Sequence, residues 1–417
     1  MRILWISATA GNYRSPNVSG GGYNGGGWIS SMQNELAKCD DIKLGIAFCR
    51  NGEPAKVEQD GVVYYPIPHH TKSKKDKFFD LFKLNDATRD EVLWPYYEHK
   101  FKEVIEDFKP DVIHIFGSEL YHGLAARVAG NIPMVLHIQG LLSLSIYILL
   151  PPGFSRREYI MSGKGLKGQF HHLQYLAYWK RSAYREKAIL NAVPYVIGRT
   201  DWDRQAMAVL NPKAKYYYGG EILRDVFYEA RKRQFPNVPT ITTTISFPTY
   251  KGYDVILKVA YILKNELHLK FQWNVYGNIN PEFIEKHLGL RHQDLNINLC
   301  GVASAETLCD ALLSSTMYFH SSYIENSPNS VGEAQMVGVP VVASRVGGTD
   351  SMVEHGKTGF LYPVTDPYMA AYYIKRLIDN KEENMAIGKK AREIALVRHD
   401  KRQIVEELLD VYEQIKK

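Results

Sequence analysis

A chain of 417 residues is longer than one hydrophobic core usually serves, so two domains are the first expectation. With 45% apolar residues, 23% charged residues and a mild net charge of +6, it reads as a globular protein without nucleic-acid partners, and no uncharged apolar run of about 18 residues is present to span a membrane. Cys39, Cys49, Cys300 and Cys309 show no C-x-x-C spacing, which argues against a disulfide scaffold or a cysteine metal site and makes them candidate buried thiols.

The chain starts on an apolar strand, Arg2 to Ser7, without the basic-then-apolar order of a signal peptide, so a cytoplasmic location is expected. A loop holding Gly20-Gly21-Gly22 and Gly25-Gly26-Gly27 follows, and then Trp28, Ile29, Met32 and Leu36 at helical spacing. A glycine loop between strand and helix brings helix N-terminal amides toward an anion, with Gly26 and Gly27 as candidates, although generic flexible punctuation looks the same. The grouping is not the G-x-G-x-x-G of a dinucleotide site.

Ile42 to Phe48, Val62 to Ile67, Asp111 to Phe116 and Ile132 to Ile138 are short, β-branched and bounded by turn residues, and Val92 to Phe108 is patterned as a helix. Strands alternating with helices predict an α/β fold with a parallel, doubly wound sheet. Such sheets bind ligands beyond the carboxyl ends of their strands. That rule singles out Glu119 and His122 after one strand, and His137 and Gln139 at another, whereas His114 reads as a core residue within its strand.

Lys72 to Leu84 (KSKKDKFFDLFKL) sets Phe78, Phe79, Leu81 and Phe82 among lysines, and Leu141 to Leu150 is apolar. Arg156 to Lys187 holds eight Lys/Arg against two Glu, interleaved with Tyr159, Phe170, Tyr175, Tyr178, Trp179 and Tyr184. Segments of this kind suit peripheral contact with the inner face of a membrane, and charged helices covering a groove have the same composition.

Val193 to Ile197 resumes the strand pattern, with Thr200 as the N-cap of the next helix. Tyr216 to Glu221 (YYYGGE) is a composition break, and its Gly219-Gly220 pair a candidate hinge. A second alternation begins beyond Pro239, with strands at Thr240 to Ile245, Phe271 to Tyr276, Asn296 to Leu299, Met317 to His320 and Val341 to Ser344. Helices are expected near Val255 to Leu267 and Glu306 to Leu313. From Tyr368 on the pattern is helical, ending with Ile404, Leu408, Val411 and Ile415 on one face. The expected domains are 1–218 with a returning helix at 400–417, and 219–399, with a deep cleft between two sheets.

The most informative stretch runs from Ser322 to Pro340 (SYIENSPNSVGEAQMVGVP). Two acids, Glu325 and Glu333, are separated by seven residues that include the polar turn Asn326, Ser327, Pro328, Asn329 and Ser330. A strand, a polar turn and a helix in that order aim backbone amides and the first acid at one place. Two glutamates at this spacing mean little alone. With the NSPNS turn between them, Gly338-Val339-Pro340-Val341-Val342-Ala343-Ser344 beyond, Gly347-Gly348 after that, EHGKTGFLYP from Glu354 to Pro363, and Lys251-Gly252 upstream, the stretch resembles the donor site of glycosyltransferase family 4.

That resemblance implies a GT-B fold of two Rossmann-like domains, an N-terminal one for the acceptor and a C-terminal one for a nucleotide-sugar donor. It implies that Glu325 meets the donor sugar, that Glu333 accepts from the ribose hydroxyls, and that amides around Asn329, Ser330 and Val331 hold the diphosphate with Lys251. Catalysis would be metal-independent and retaining, with a UDP- or GDP-sugar as co-substrate and no cofactor. The acceptor would be a glycan or lipid-linked molecule of cell-surface polysaccharide biosynthesis, met by Glu119, His122, His137 and Gln139. Two departures stand out. Ile245, Ser246 and Phe247 occupy the place of the family's usual phosphate arginine, so the diphosphate would be held either by fewer charges or by Arg199 from across the cleft. Gln139 stands where a histidine is common, and Gln139 cannot act as a base, which would pass proton handling to His137 or to substrate phosphate. A nucleotide-sugar epimerase of the same architecture and a non-catalytic nucleotide- or carbohydrate-binding protein are the alternatives.

Overall fold

The computed structural model describes residues 1–15, 27–231 and 233–417, so the glycines at 20–22, Gly25 and the candidate Gly26 lie outside the described residues. The chain divides into two compact units. The first comprises Met1–Ile146, Gly163–Ile222 and Lys401–Lys417, and the second Tyr147–Ser162 and Leu223–Asp400. The boundary therefore falls after Ile222, and the segment 147–162, expected in the first domain, belongs to the second.

Among the described residues of the first unit, eight strands form one sheet: β1 (Arg2–Ser7), β2 (Lys43–Cys49), β3 (Val57–Gln59), β4 (Val62–Ile67), β5 (Val112–Phe116), β6 (Met134–His137), β7 (Tyr195–Gly198) and β8 (Lys215–Tyr218). Their order is β3-β4-β2-β1-β5-β6-β7-β8, and every pairing is parallel except β3 with β4. Tyr216 to Tyr218 of the stretch read as a break thus enter the sheet as part of β8, and Gly219 still donates to the Gly198 carbonyl (2.9 Å).

Side chains alternate faces along a strand, so a sheet covered on both sides needs apolar residues at every position. Strand β1 meets that need. Leu4 and Ile6 pack with Tyr97, Phe101, Phe108 and Ile189, while Ile3 and Trp5 pack on the opposite face with Trp28, Met32 and the last helix, Lys401–Lys416. Ile404, Leu408, Val411 and Ile415 of that helix are buried as their spacing predicts, and Tyr412 joins them with no exposed surface. The Tyr412 hydroxyl accepts from Trp5 Nε1 (3.1 Å) and lies 2.6 Å from His114 Nδ1.

The second unit holds β9 (Thr240–Thr244), β10 (Gln272–Tyr276), β11 (Ile297–Gly301), β12 (Met317–His320), β13 (Val341–Ser344) and β14 (Gly359–Tyr362), all parallel, in the order β11-β10-β9-β12-β13-β14. Alternation again feeds two cores. Phe319 and Val342 face one with Trp273 and Tyr253, whereas Tyr318, Val341 and Ala343 face the other with Val331 and Met336. Strand order turns at β9 and β12, and the carboxyl ends of these central strands are the place such a sheet offers a ligand.

All four cysteines are free thiols, but the expectation of burial holds only for Cys309; Cys39 and Cys49 are half-buried and Cys300 is exposed.

Candidate functional site

Strand β12 ends on His320, the segment 321–328 follows as a loop, and the helix Asn329–Met336 begins at the polar turn. This loop is fastened from several sides. Ser344 Oγ at the end of β13 donates to the Ser322 carbonyl (2.6 Å), and the Gly348 amide to the Glu325 carbonyl (3.0 Å). From the loop after β9, the Tyr250 carbonyl accepts from the Tyr323 amide (2.8 Å), and the Lys251 carbonyl from Ser321 Oγ (2.7 Å).

Two glycines permit these close approaches. Gly252 has φ +75° and a Cβ there would sit 2.0 Å from the Ser321 carbonyl oxygen; Gly347 has φ +51° and its Cβ would sit 1.8 Å from that of Glu325. Both positions combine a left-handed backbone with backbone contact, a combination that only glycine accommodates without strain.

The fastening brings Lys251 and Glu325 together, 74 residues apart in sequence, as an ion pair whose side chains are 22% and 17% exposed. Glu325 Oε2 also accepts from Ser322 Oγ (3.2 Å) and lies 3.5 Å from His320 Nε2. Burial pushes the Glu325 pKa up, but the Lys251 ammonium and the His320 ring outweigh it and hold the carboxyl well below the usual carboxylate range. Glu325 is therefore a permanent anion near neutral pH. It has no proton to donate, and a carboxylate so strongly stabilised is a poor base.

Helix Asn329–Met336 directs its first amides toward the same loop. The Val331 and Gly332 amides both turn back to the Pro328 carbonyl (2.9 and 3.3 Å), so Val331, expected to offer its N–H, has spent it. Asn329 and Ser330, both half-buried, remain as the presenting positions, while Asn326 and Pro328 are buried and Ser327 Oγ donates to Met352 Sδ (3.5 Å). One turn on, Glu333 is 7% exposed and paired through Oε1 with Arg224 (Nε 2.9 Å, Nη2 2.8 Å). Burial pushes its pKa up to about 7 against the opposing pull of Arg224. Neither Arg224 nor His320 was named from sequence. His320 could have been, as the last residue of a central strand, whereas nothing local marks Arg224.

In the first unit, Glu119 is half-buried beyond β5, and its Oε1 accepts from the Gly140 amide beyond β6 (2.8 Å). Gln139 is beside it, since a Cβ on Gly117 would lie 2.1 Å from Glu119 Oε2 and 3.1 Å from Gln139 Cγ. Buried charges organise these two loops. Arg185 holds Asp90 through both carboxylate oxygens (2.9 Å each) and donates to the Glu119 carbonyl (2.9 Å), and Glu186 accepts from Ser118 Oγ, Leu142 N and Ser143 N (2.9, 2.9 and 2.6 Å). Burial raises the Glu119 carboxyl to about 7, so it titrates near neutrality.

Other candidates fare differently. Gly27 opens the helix Gly27–Leu36, where its carbonyl accepts from Ser31 Oγ (3.1 Å). His122 is buried with Nε2 2.8 Å from the Phe116 carbonyl, a contact that shapes the turn after β5 rather than presenting a ring to an acceptor. His137 is 1% exposed, stacked with His114 and Phe116 and met edge-on by Trp28, so it is a core residue and not the proton-handling neighbour of Gln139. Arg199 is committed to an ion pair with Glu221 and to the Ile138 and Gln139 carbonyls (3.1 and 3.2 Å), all within the first unit, which argues against a phosphate role for its guanidinium. His114 is the strand-core residue expected of it.

Burial lowers His114 to about 3, His122 to about 4 and His137 well below the ordinary 6.5. An unfolded chain takes up these protons near pH 6.5, whereas the folded one does so only near its depressed values. The resulting stability is whole above pH 6.5 and drains as pH falls toward 4, at about 1.4 kcal/mol per pH unit for each histidine. The urea midpoint of the first unit, followed by tryptophan fluorescence, is expected to drop steeply between pH 7 and 5, and less steeply in His137→Phe. Equal pH slopes in the two proteins would count against the assignment.

The family described as glycosyl transferases group 1 matches residues 228–394, within the second unit. Among curated relatives, a D-inositol 3-phosphate glycosyltransferase of Corynebacterium efficiens is 40% identical over 74 residues, 18% of this chain and 18% of that protein. One from Corynebacterium diphtheriae is 28% identical over 182 residues, 40% of this chain and 41% of that protein. The chain thus aligns with less than half the length of either. Among solved structures, sucrose-phosphate synthase from Thermosynechococcus elongatus superposes with TM-score 0.71 at 16% identity, covering 99% of this chain and 98% of that one. Anabaena HepE in complex with UDP gives 0.62 at 15% identity, over 99% and 100%. At such identities the likeness speaks for the fold.

Proposed function

Starting from a GT-B chain whose second unit carries the glycosyl transferases group 1 domain, we propose that the protein is a metal-independent, retaining glycosyltransferase of family 4 that uses a UDP- or GDP-sugar. The observation that carries this reading is the constellation at the carboxyl end of β12: Lys251 on Glu325, the Asn329 and Ser330 amides at a helix N-terminus, and buried Glu333 one turn beyond.

An ammonium has three donors, so Lys251 can keep Glu325 and still reach a phosphate oxygen. With the helix amides it would neutralise a diphosphate without a metal ion. Glu333, turned from Arg224 toward a ribose, would accept from both ribose hydroxyls. Glu325, held ionised, faces the positive charge that develops as the anomeric bond to the diphosphate breaks, and this is stabilisation by a preorganised charge. The departing diphosphate takes the proton of the acceptor hydroxyl on the same face, which gives retention without a covalent sugar–enzyme bond. Gln139 and Glu119 are the acceptor-side groups, and the acceptor is a glycan or lipid-linked molecule of cell-surface polysaccharide assembly. Relatives described as sugar transferases and a similar structure solved with UDP support this reading.

The first test is thermal shift with UDP, GDP and ADP. UDP or GDP at about 100 times its dissociation constant adds about 2.7 kcal/mol, a rise of roughly 5–10 °C for a unit of this size. The rise should vanish in Glu333→Ala. No shift with any nucleotide, or an undiminished one in that variant, would sink the proposal.

A further inference from the structure

The helix Lys74–Phe82 in the first unit has no buried residue, although Phe78, Phe79, Leu81 and Phe82 make up almost half of it. Phe78 is 57% exposed and Phe82 73%. Surface apolar residues are common singly, but four together on one short helix mark a contact surface.

The polarity of this helix is inverted. Its two acids face the protein: Asp80 pairs with Lys72 (2.8 Å), Arg89 (3.0 Å) and Arg181 (3.3 Å), and Asp76 with Arg89 (3.3 Å). Arg181, on the long helix Gly165–Ala192, also donates to the Lys83 carbonyl (3.1 Å), and Lys180 to Asn85 (3.2 Å), so the chain just beyond the helix is fastened as well. At 3.6 residues per turn, Phe78 stands diametrically opposite the midpoint of Asp76 and Asp80. Leu81 and Phe82 flank it, and the Phe78 ring meets those of Phe82 and Phe79 at 4.9 and 6.3 Å. Lys74, Lys75 and Lys77 are exposed around this ridge and form no ion pair among the described residues.

An ordinary amphipathic helix turns its apolar face to the core and its charges to water. Here ion pairs hold the helix by its acidic side and push an aromatic ridge ringed with lysine outward. A second copy of the chain would cover the ridge only by bringing lysines against lysines, which is unfavourable. A layer of anionic headgroups over an apolar interior suits both parts. We propose that the first unit docks on an anionic lipid surface through Lys74–Phe82, with Phe78 and Phe82 entering the headgroup layer and Lys74, Lys75 and Lys77 on lipid phosphates. No described helix is long and apolar enough to cross a membrane, so this contact is peripheral. It does not depend on which sugar is moved or on the transfer reaction.

The test is co-sedimentation of the full chain with vesicles of phosphatidylcholine alone or mixed equally with phosphatidylglycerol, without donor or acceptor, so that failure leaves the transfer proposal standing. Binding is expected to the mixed vesicles and to weaken as salt rises. Phe78→Ser with Phe82→Ser should weaken it by about tenfold or more, and Lys74→Gln, Lys75→Gln and Lys77→Gln by about fivefold each. Both sets replace solvent-exposed side chains, and unchanged melting will verify their folds. In Phe78→Trp, mixed vesicles should shift the emission to the blue. The proposal is overturned if the wild type ignores anionic vesicles, if the phenylalanine and lysine variants bind as well as it does, or if the wild type forms a dimer that the phenylalanine variant loses.

Discussion

Glu325→Gln should lower the transfer rate by about 10²- to 10³-fold while donor affinity changes only a few-fold. The amide keeps the shape of the side chain and its bond to Ser322, but it removes the charge that Lys251 and His320 hold in place. A group whose charge matters mainly as the anomeric bond breaks acts on kcat more than on binding. Lys251→Ala should do something different. It removes the phosphate cation and leaves a carboxylate 17% exposed without its strongest partner, so donor affinity, kcat and stability should all fall, the last by about 1–3 kcal/mol. Steady-state kinetics, calorimetric UDP binding and melting of the two variants and their combination will show whether the residues act as a unit. Full activity in Glu325→Gln would remove Glu325 from the reaction.

Gly347→Ala is expected to cost about 2–4 kcal/mol and most of the activity, though residue 347 contacts no substrate in the proposed site. Its Cβ would lie 1.8 Å from the Glu325 carbonyl oxygen at φ +51°, and the neighbouring Gly348 amide donates to that same oxygen. Relief requires moving the loop that carries Glu325. Gly356→Ala is the control. It also has positive φ, +78°, but nothing lies within 4 Å of its Cβ, so only the backbone term of about 1 kcal/mol should appear. If both variants lose the same stability and keep the same activity, close approach at residue 347 has no functional weight.

The parts legible in the sequence are those in which chemistry is local. Strands β1, β4, β5, β12 and β13 announce themselves as apolar β-branched or aromatic runs between turn residues. The last helix does so through Ile404, Leu408, Val411 and Ile415, and the Glu325–Glu333 spacing sits between two such strands. Strand β8 was missed because Lys215 and Tyr218 are exposed and its tyrosines carry no alternating pattern. The rule that sites lie at the carboxyl ends of strands singled out Glu119, Gln139 and His137 alike. Position along a strand does not say which way a ring turns, and His137 turns into a stack of aromatic rings. Pairings across long separations, such as Arg224 with Glu333 or Arg199 with Glu221, exist only once the chain has folded. One of them gave Glu333 a partner that no motif suggested, and the other removed Arg199 from the candidates for phosphate.

The Tyr412 hydroxyl, set between Trp5 and His114, has a consequence for how the protein is made. The first unit begins with residue 1, yet its second core includes a helix encoded after the whole of the second unit. A ribosome therefore exposes every strand of both sheets before the segment that covers β1 and β5 emerges. Until then Trp5 and His114 lack their shared partner, and the side of the first sheet that packs on Trp28 and Met32 lacks the rest of its cover. The domain begun first is the last to close, and during that interval a chaperone can be expected to recognise it, and a protease to cut it.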